Sequence, residues 1–230
     1  MLTKTTATTA TPNATEILEK TQTYVKDLLS GEGTGHDWWH ILRVTKLAKY
    51  IAKQEAANLL IVELTALLHD IADWKFHDGD IEKGPRVARQ WLEGLSLDVK
   101  SIDAICENIA NISFKGAKVK AKPLSLEGQI VQDADRLDAL GAIGIARAFA
   151  YGGFKQRPLY EPDIKPVLHT SFESYKNNQG TTVNHFYEKL LLLKDALNTK
   201  TAQKIAAKRH EFMENFLAQF FSEWEVKLAD

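Results

Sequence analysis

Three stretches of this chain carry side chains that could do chemistry together. His36 and His40 lie four residues apart. His69-Asp70 is followed within ten positions by Asp73, His77, Asp78 and Asp80. Asp133, Asp135 and Asp138 sit inside the otherwise apolar VQDADRLDALGAIG. An isolated His-Asp pair is most simply a helix-ending turn in water. The acids of 133–138 resist that reading, because Ile130, Val131, Leu137, Leu140 and Ile143 surround them. A carboxylate set near a core must be paired or bound to a cation. Two readings stay open: a structural ion network with Arg136 and Arg147, or a divalent ion held by imidazoles and carboxylates from distant parts of the chain. Such a mixed donor set suits Mn, Fe, Co, Ni or Zn, whereas carboxylates alone point to Mg or Ca. Cys106 is the only cysteine, which excludes a cysteine-type structural zinc site. A metal with an open position acidifies water to hydroxide near neutral pH, so hydrolysis is the natural chemistry.

The elements that must position these groups read as helices. The first starts near Thr15, with Ile17, Tyr24, Val25, Leu28 and Leu29 at helical spacing, and GEGTG at 31–35 stops it. The periodicity predicts further helices over His36–Gln54, Asn58–Ala72, from Gly84-Pro85 onward, and over Val99–Ile112. After the basic loop Lys115–Pro123, Leu126–Phe149 reads as one long apolar helix, broken or closely packed around Gly141 and Gly144. The stretch from Tyr151 to Thr170 is irregular, and Thr182–Leu197 and Thr199–Trp224 read as a final helical pair. Little of the chain alternates like a strand. The expected fold is all-α: a Thr-rich tail over residues 1–14, then one helical domain over 15–230 with an excursion near 151–170. The tail lacks the apolar core of a secretion signal.

Bulk properties narrow the function. With 230 residues and 44% hydrophobic content, the chain can bury one sizeable core. A formal net charge of −1 gives no support for binding nucleic acid or a membrane surface. One cysteine forbids a disulfide within the chain and makes a reducing cytoplasm the expected location. No apolar run approaches the length of a membrane span.

WWHILRV, LLHDIADWKF, QDADRLDALGAIG and NHFYEKLLLLKD together resemble the HD-domain superfamily of metal-dependent phosphohydrolases. Within it they look most like the small bacterial branch of nucleoside triphosphate pyrophosphohydrolases. The likeness runs over most of the chain after about residue 15. It implies an HD-type helical bundle in which His40, His69, Asp70 and Asp135 are the metal ligands. It also implies one divalent transition-metal ion, Mn first, with Co, Ni, Fe or Zn as alternatives. The implied activity acts on nucleotides, with conversion of a nucleoside or deoxynucleoside triphosphate to monophosphate and pyrophosphate preferred. A 5'-nucleotidase or other phosphomonoesterase, or a low-turnover nucleotide-binding signalling protein, are the alternatives.

Asp70 and Asp73 are the expected catalytic residues. Some relatives carry a Glu where Asp73 stands, and at i+4 from His69 the shorter acid can orient water, cap the helix or pair with Lys75. Certain superfamily members add histidines for a second metal on the helix equivalent to 99–112. This one reads ICENIANISF, with Asn108 and Asn111 but no histidine, which favours a single ion. Arg43, Lys115, Lys189 and His77 are the expected substrate contacts, with Lys118, Lys120 and Lys122 beside them. Solvent exposure is the competing reading for each lysine. His185, Tyr151, Phe154 and Tyr160 read either as pocket walls or as packing residues. The expected partner is a small-molecule nucleotide, with no nucleic acid or membrane, on a monomer or homodimer.

Overall fold

A computed structural model describes residues 13–31, 37–72, 80, 82–112, 123–168 and 180–226. Every regular element among them is helical: α1 (Ala14–Leu29), α2 (Trp38–Gln54), α3 (Leu59–Leu68), α4 (Lys83–Glu93), α5 (Val99–Ile112), α6 (Leu126–Asp138), α7 (Gly141–Phe154), α8 (Thr182–Glu188), a 3-10 helix (Leu190–Ala196) and α9 (Lys200–Trp224). The starts are written in polar side chains that take up otherwise orphaned backbone N–H groups. Asn13, Asp37, Asn58, Ser125, Thr181 and Thr199 each accept such a bond. Among the described residues no helix is long and apolar enough to cross a membrane.

The apolar side chains gather into two clusters. One joins α2, α3 and α6 to α8, the 3-10 helix and α9 through Val44, Ile51, Val62, Ile130, Leu137, Phe186 and Met213. The other joins α2 and α3 to α1, α4 and α5 through Ile41, Leu64, Leu68, Ile17, Leu92 and Ile105. Helices α2, α3 and α6 pack on one another, so α2 and α3 form a wall common to both clusters. This arrangement brings the first turn of α2, the end of α3 and the last turn of α6 to one place.

Four predicted elements differ from those observed, one of them the irregular stretch from Tyr151, where α7 continues helical to Phe154. The long helix over Leu126–Phe149 is two helices, since Ala139 and Leu140 leave the α6 ladder and Gly141 adopts φ +74°. That left-handed conformation costs a residue with a Cβ, and a Cβ here would also press on Arg209 at 3.2 Å. The joint resets the helical phase, so Leu140 is buried and Ile143 exposed. The helix over Thr182–Leu197 stops at Glu188 and tightens into the 3-10 turn. Asn58–Ala72 ends four residues early, at Leu68, which leaves His69 as the capping residue and Asp70 in a turn.

Candidate metal centre

His40 stands in the first turn of α2, where Asp37 caps the helix by accepting from the His40 backbone N–H at 2.9 Å. His69 ends α3, and the next residue points Asp70 into the same space. Asp135 comes from the last turn of α6. Nitrogen or oxygen atoms of His40, His69 and Asp135 all lie within 4.8 Å of one another. Asp70 joins them, its Oδ2 being 3.5 Å from His40 Nε2 and 3.7 Å from His69 Nε2. Asp135 Oδ1 lies 3.5 Å and 4.0 Å from the same two nitrogens. Donors bound at about 2.1 Å to a common ion stand roughly 3.0–3.4 Å apart, so a small contraction closes this set around a cation.

The donor chemistry fits a metal as well as the spacing does. The Ala66 carbonyl, which can only accept, lies 2.8 Å from His69 Nδ1. The ring proton is therefore on Nδ1, and Nε2 presents its lone pair to the centre. That Nε2 is buried and has no hydrogen-bond partner among the described residues, an arrangement that costs free energy unless a cation takes the lone pair. The ends of α3 and α6 also bring the partial negative charge of two helix C-termini to this side.

Electrostatics tie the cluster together. Burial pushes the His40 imidazolium down, but bonding to the Asp138 and Asp70 carboxylates outweighs it and lifts the group above its usual range. Burial pushes Asp135 up, and the His69 and His40 charges overcome it, leaving this carboxyl below its usual range. In each case the neighbour of opposite sign decides the outcome.

The other acids of α6 have different work. Asp133 is wholly buried and accepts four hydrogen bonds, all at 2.8 Å. They come from the backbone and side-chain nitrogens of Asn198 and from the backbone N–H and hydroxyl of Thr199. It fastens the start of α9 to α6. Asp138 receives His40 Nδ1 at 2.7 Å, Arg43 through Nε and Nη2 at 2.8 and 3.0 Å, and Arg147 at 2.9 Å. Burial raises its carboxyl, but the His40 and Arg43 bonds and the Arg147 charge hold it well below the ordinary range. The structural ion network anticipated for this helix thus exists beside the cluster, on Asp138. Arg147 belongs to it, whereas Arg136 donates to the Ala196 carbonyl.

Of the expected substrate contacts, Arg43 is placed on Asp138. Lys189 lies at the end of α8, where the helix gives way to the 3-10 turn, and is half-buried. His185 is half-buried in α8. Tyr160 packs edge-on against Phe220, Phe221 and Trp224, as a packing residue does. Tyr151 and Phe154 lie side by side at the end of α7, near Lys155. Asn108 is buried and accepts from the Ser125 hydroxyl, and Asn111 bonds the Glu107 carbonyl. Asp73, His77, Asp78, Lys115, Lys118, Lys120, Lys122 and His36 lie outside the described residues. A cavity of about 240 Å³ between Tyr160, Lys165 and Tyr187 contains none of the metal-cluster residues. Sequence reasoning missed the Ala66 carbonyl and, although Asp138 reads as an acid that supports the ligands or bridges helices, did not name His40 as its partner. The first leaves no mark in side-chain identity. The second was hinted at by the i,i+3 spacings His40–Arg43 and Asp135–Asp138.

Comparison with known proteins agrees with this geometry. The HD domain family matches residues 38–140. A Lactobacillus plantarum protein of solved structure is 40% identical, with 91% of this chain and 97% of that one covered and a TM-score of 0.82. An HD-superfamily hydrolase from Bacillus thuringiensis is 44% identical over 93% of this chain and 99% of its own, with a TM-score of 0.72. Bacillus subtilis YpgQ, solved in complex with ADP, is 36% identical over 91% and 96%, with a TM-score of 0.71. The architecture, the convergent imidazoles and carboxylates, and these matches agree: the chain belongs to the HD-domain superfamily of metal-dependent phosphohydrolases.

Proposed function

We propose that the chain hydrolyses nucleoside or deoxynucleoside triphosphates to the monophosphate and pyrophosphate. The observation that carries the reading is the convergence of His40, His69, Asp70 and Asp135, with a buried His69 lone pair facing the centre. The ADP held by the YpgQ relative supports a nucleotide as the ligand class. His40, His69, Asp70 and Asp135 would hold one divalent ion, with Mn the first choice for this nitrogen–oxygen set. When bound, such an ion supplies a Lewis acid and acidified water.

The protein's own groups do the rest. Asp70, next to both imidazoles, and Asp73, four residues beyond His69, orient the attacking water and take its proton. Lys115, Lys189 and His77 hold phosphate oxygens against the charge that builds up on the transferring group, while Arg43, first expected among these contacts, clasps Asp138 behind the centre. Attack of water at the α phosphorus breaks its bond to the bridging oxygen, and pyrophosphate leaves with that oxygen. The single cysteine, Cys106, fits a reducing compartment, and the cytoplasm is the proposed location.

A panel of nucleotides with Mn, Co, Ni or Zn, with products identified, tests the assignment. Monophosphate plus pyrophosphate from a triphosphate is expected, with His69→Ala losing more than about 100-fold in turnover. Orthophosphate from a monophosphate would move the assignment to a nucleotidase. Tight nucleotide binding without turnover on any metal would make the protein a binding module.

A further inference from the structure

The geometry points to Asp138 as the residue that positions His40 for its metal, by dictating which ring nitrogen carries the proton. This inference rests on the metal cluster described above. The His40 side chain is fully buried, so bulk water cannot set its tautomer. Its Nδ1 lies 2.7 Å from Asp138 Oδ2, and its Nε2 faces Asp70 and Asp135.

The surroundings of Asp138 decide the direction of the 2.7 Å bond. Arg43 donates from Nε to Oδ1 and from Nη2 to Oδ2, and Arg147 donates from Nη1 to Oδ2. A guanidinium has only donors. A proton on either Asp138 oxygen would therefore have to compete with an arginine N–H. The carboxylate stays acceptor-only, and His40 must donate from Nδ1. A neutral imidazole has one N–H, so the lone pair of His40 is fixed on Nε2, on the metal side.

The two histidines thereby receive different support. His69 is oriented by the neutral carbonyl of Ala66, which no side-chain substitution removes. His40 is oriented by a charged group, which raises the basicity of its ring as a ligand. The arginines have a second effect. With Asp138 in place their two positive charges are partly neutralised. Without it, both would face the cation across the His40 ring. Asparagine cannot substitute, because its single oxygen serves one side and its amide N–H₂ meets an arginine donor or the His40 N–H on the other.

The test is metal affinity in the full chain, measured calorimetrically with Mn for wild type, Asp138→Asn, Asp138→Glu and His69→Ala. Thermal melts establish that each is folded. Asp138→Asn is expected to bind Mn about 10–100-fold more weakly, with Asp138→Glu recovering part of the loss. Nitrogen-15 spectra of the histidines, recorded above the His40 transition so that the ring is neutral, should show Nε2–H appearing on His40 in metal-free Asp138→Asn and absent in wild type. A folded Asp138→Asn with wild-type Mn affinity and an unchanged His40 tautomer overturns the inference, provided that His69→Ala has lost the metal. If His69→Ala also binds Mn normally, the cluster assignment itself is wrong. Should Asp138→Asn not fold, the zinc-loaded wild type decides alone: a protonated Nδ1 and a metal-bound Nε2 are required on His40, and the reverse assignment refutes the proposal.

Discussion

Asp133 and Asp135 are two residues apart on α6, which turns them about 200° from each other around the helix axis. Their surroundings differ accordingly. Asp133 is sealed in and meets one donor for each of its four oxygen lone pairs, from Asn198 and Thr199. The Asp135 side chain is 35% exposed and faces the imidazoles of His40 and His69. Residue type and helix are the same, but one acid is satisfied by hydrogen bonds inside the protein and the other faces two imidazoles. Whether a buried-looking acid is architectural or functional depends on how many protein donors reach it.

Substitution should separate the two sides. The largest effect is expected on the open side: Asp135→Asn should weaken Mn binding by more than about 100-fold, while its melting temperature without metal stays within a few degrees of wild type. Metal titration beside a thermal melt checks both. On the closed side, Asp133→Ala strands the donors at the start of α9 and should cost about 3 kcal/mol of stability. For a chain of this size that is a fall of roughly 6–12 °C in Tm. Mn affinity below the melt should be retained. A variant that lost metal without losing stability at Asp133 would erase the distinction.

Acid should act on the open side first. His40 titrates above the usual imidazole range in the metal-free state. Below that pKa its Nε2 carries a proton that a metal must displace, so affinity is highest at alkaline pH and falls as pH drops through the His40 transition. Once His40 is protonated, the fall is about tenfold per pH unit for one displaced proton. Isothermal titration across that range, with proton release counted in two buffers, measures it. Asp133→Ala should leave the pH profile in place.

The smallest effect belongs to the joint that separates α6 from α7. Gly141→Ala forces a Cβ into a left-handed residue and onto Arg209, and should cost about 1–2 kcal/mol. Chemical denaturation reads this out, with metal affinity little changed.

Much of the helical layout was legible because caps and apolar spacing are local. Asn13, Asn58, Ser125 and Thr199 begin helices close to where the apolar pattern begins. What the pattern hides is a change of phase without a change of composition. Leu137, Ala139, Leu140 and Ala142 continue an apolar run, yet the backbone turns at Gly141. The run Leu190–Leu193 looks like any buried helix face although its bonding is 3-10. The site divides in the same way. The histidines and acids were conspicuous by type. Which acid faces the imidazoles and which faces Asn198 depends on the packing of α2, α3 and α9 around α6, and no spacing rule encodes that. Arg43 illustrates the difficulty: its place one turn after His40 suits a phosphate contact, and the fold sets its guanidinium on Asp138.

Helices α2 and α3 contribute side chains to both apolar clusters, and α2 together with the turn that ends α3 supplies three of the four proposed ligands, His40, His69 and Asp70. Loosening either half of the molecule therefore disturbs a partition that the other half still grips. Amides in α2 and α3 should be the last to exchange with solvent, while α1 and α4, which belong to one cluster each, can fray without releasing the metal.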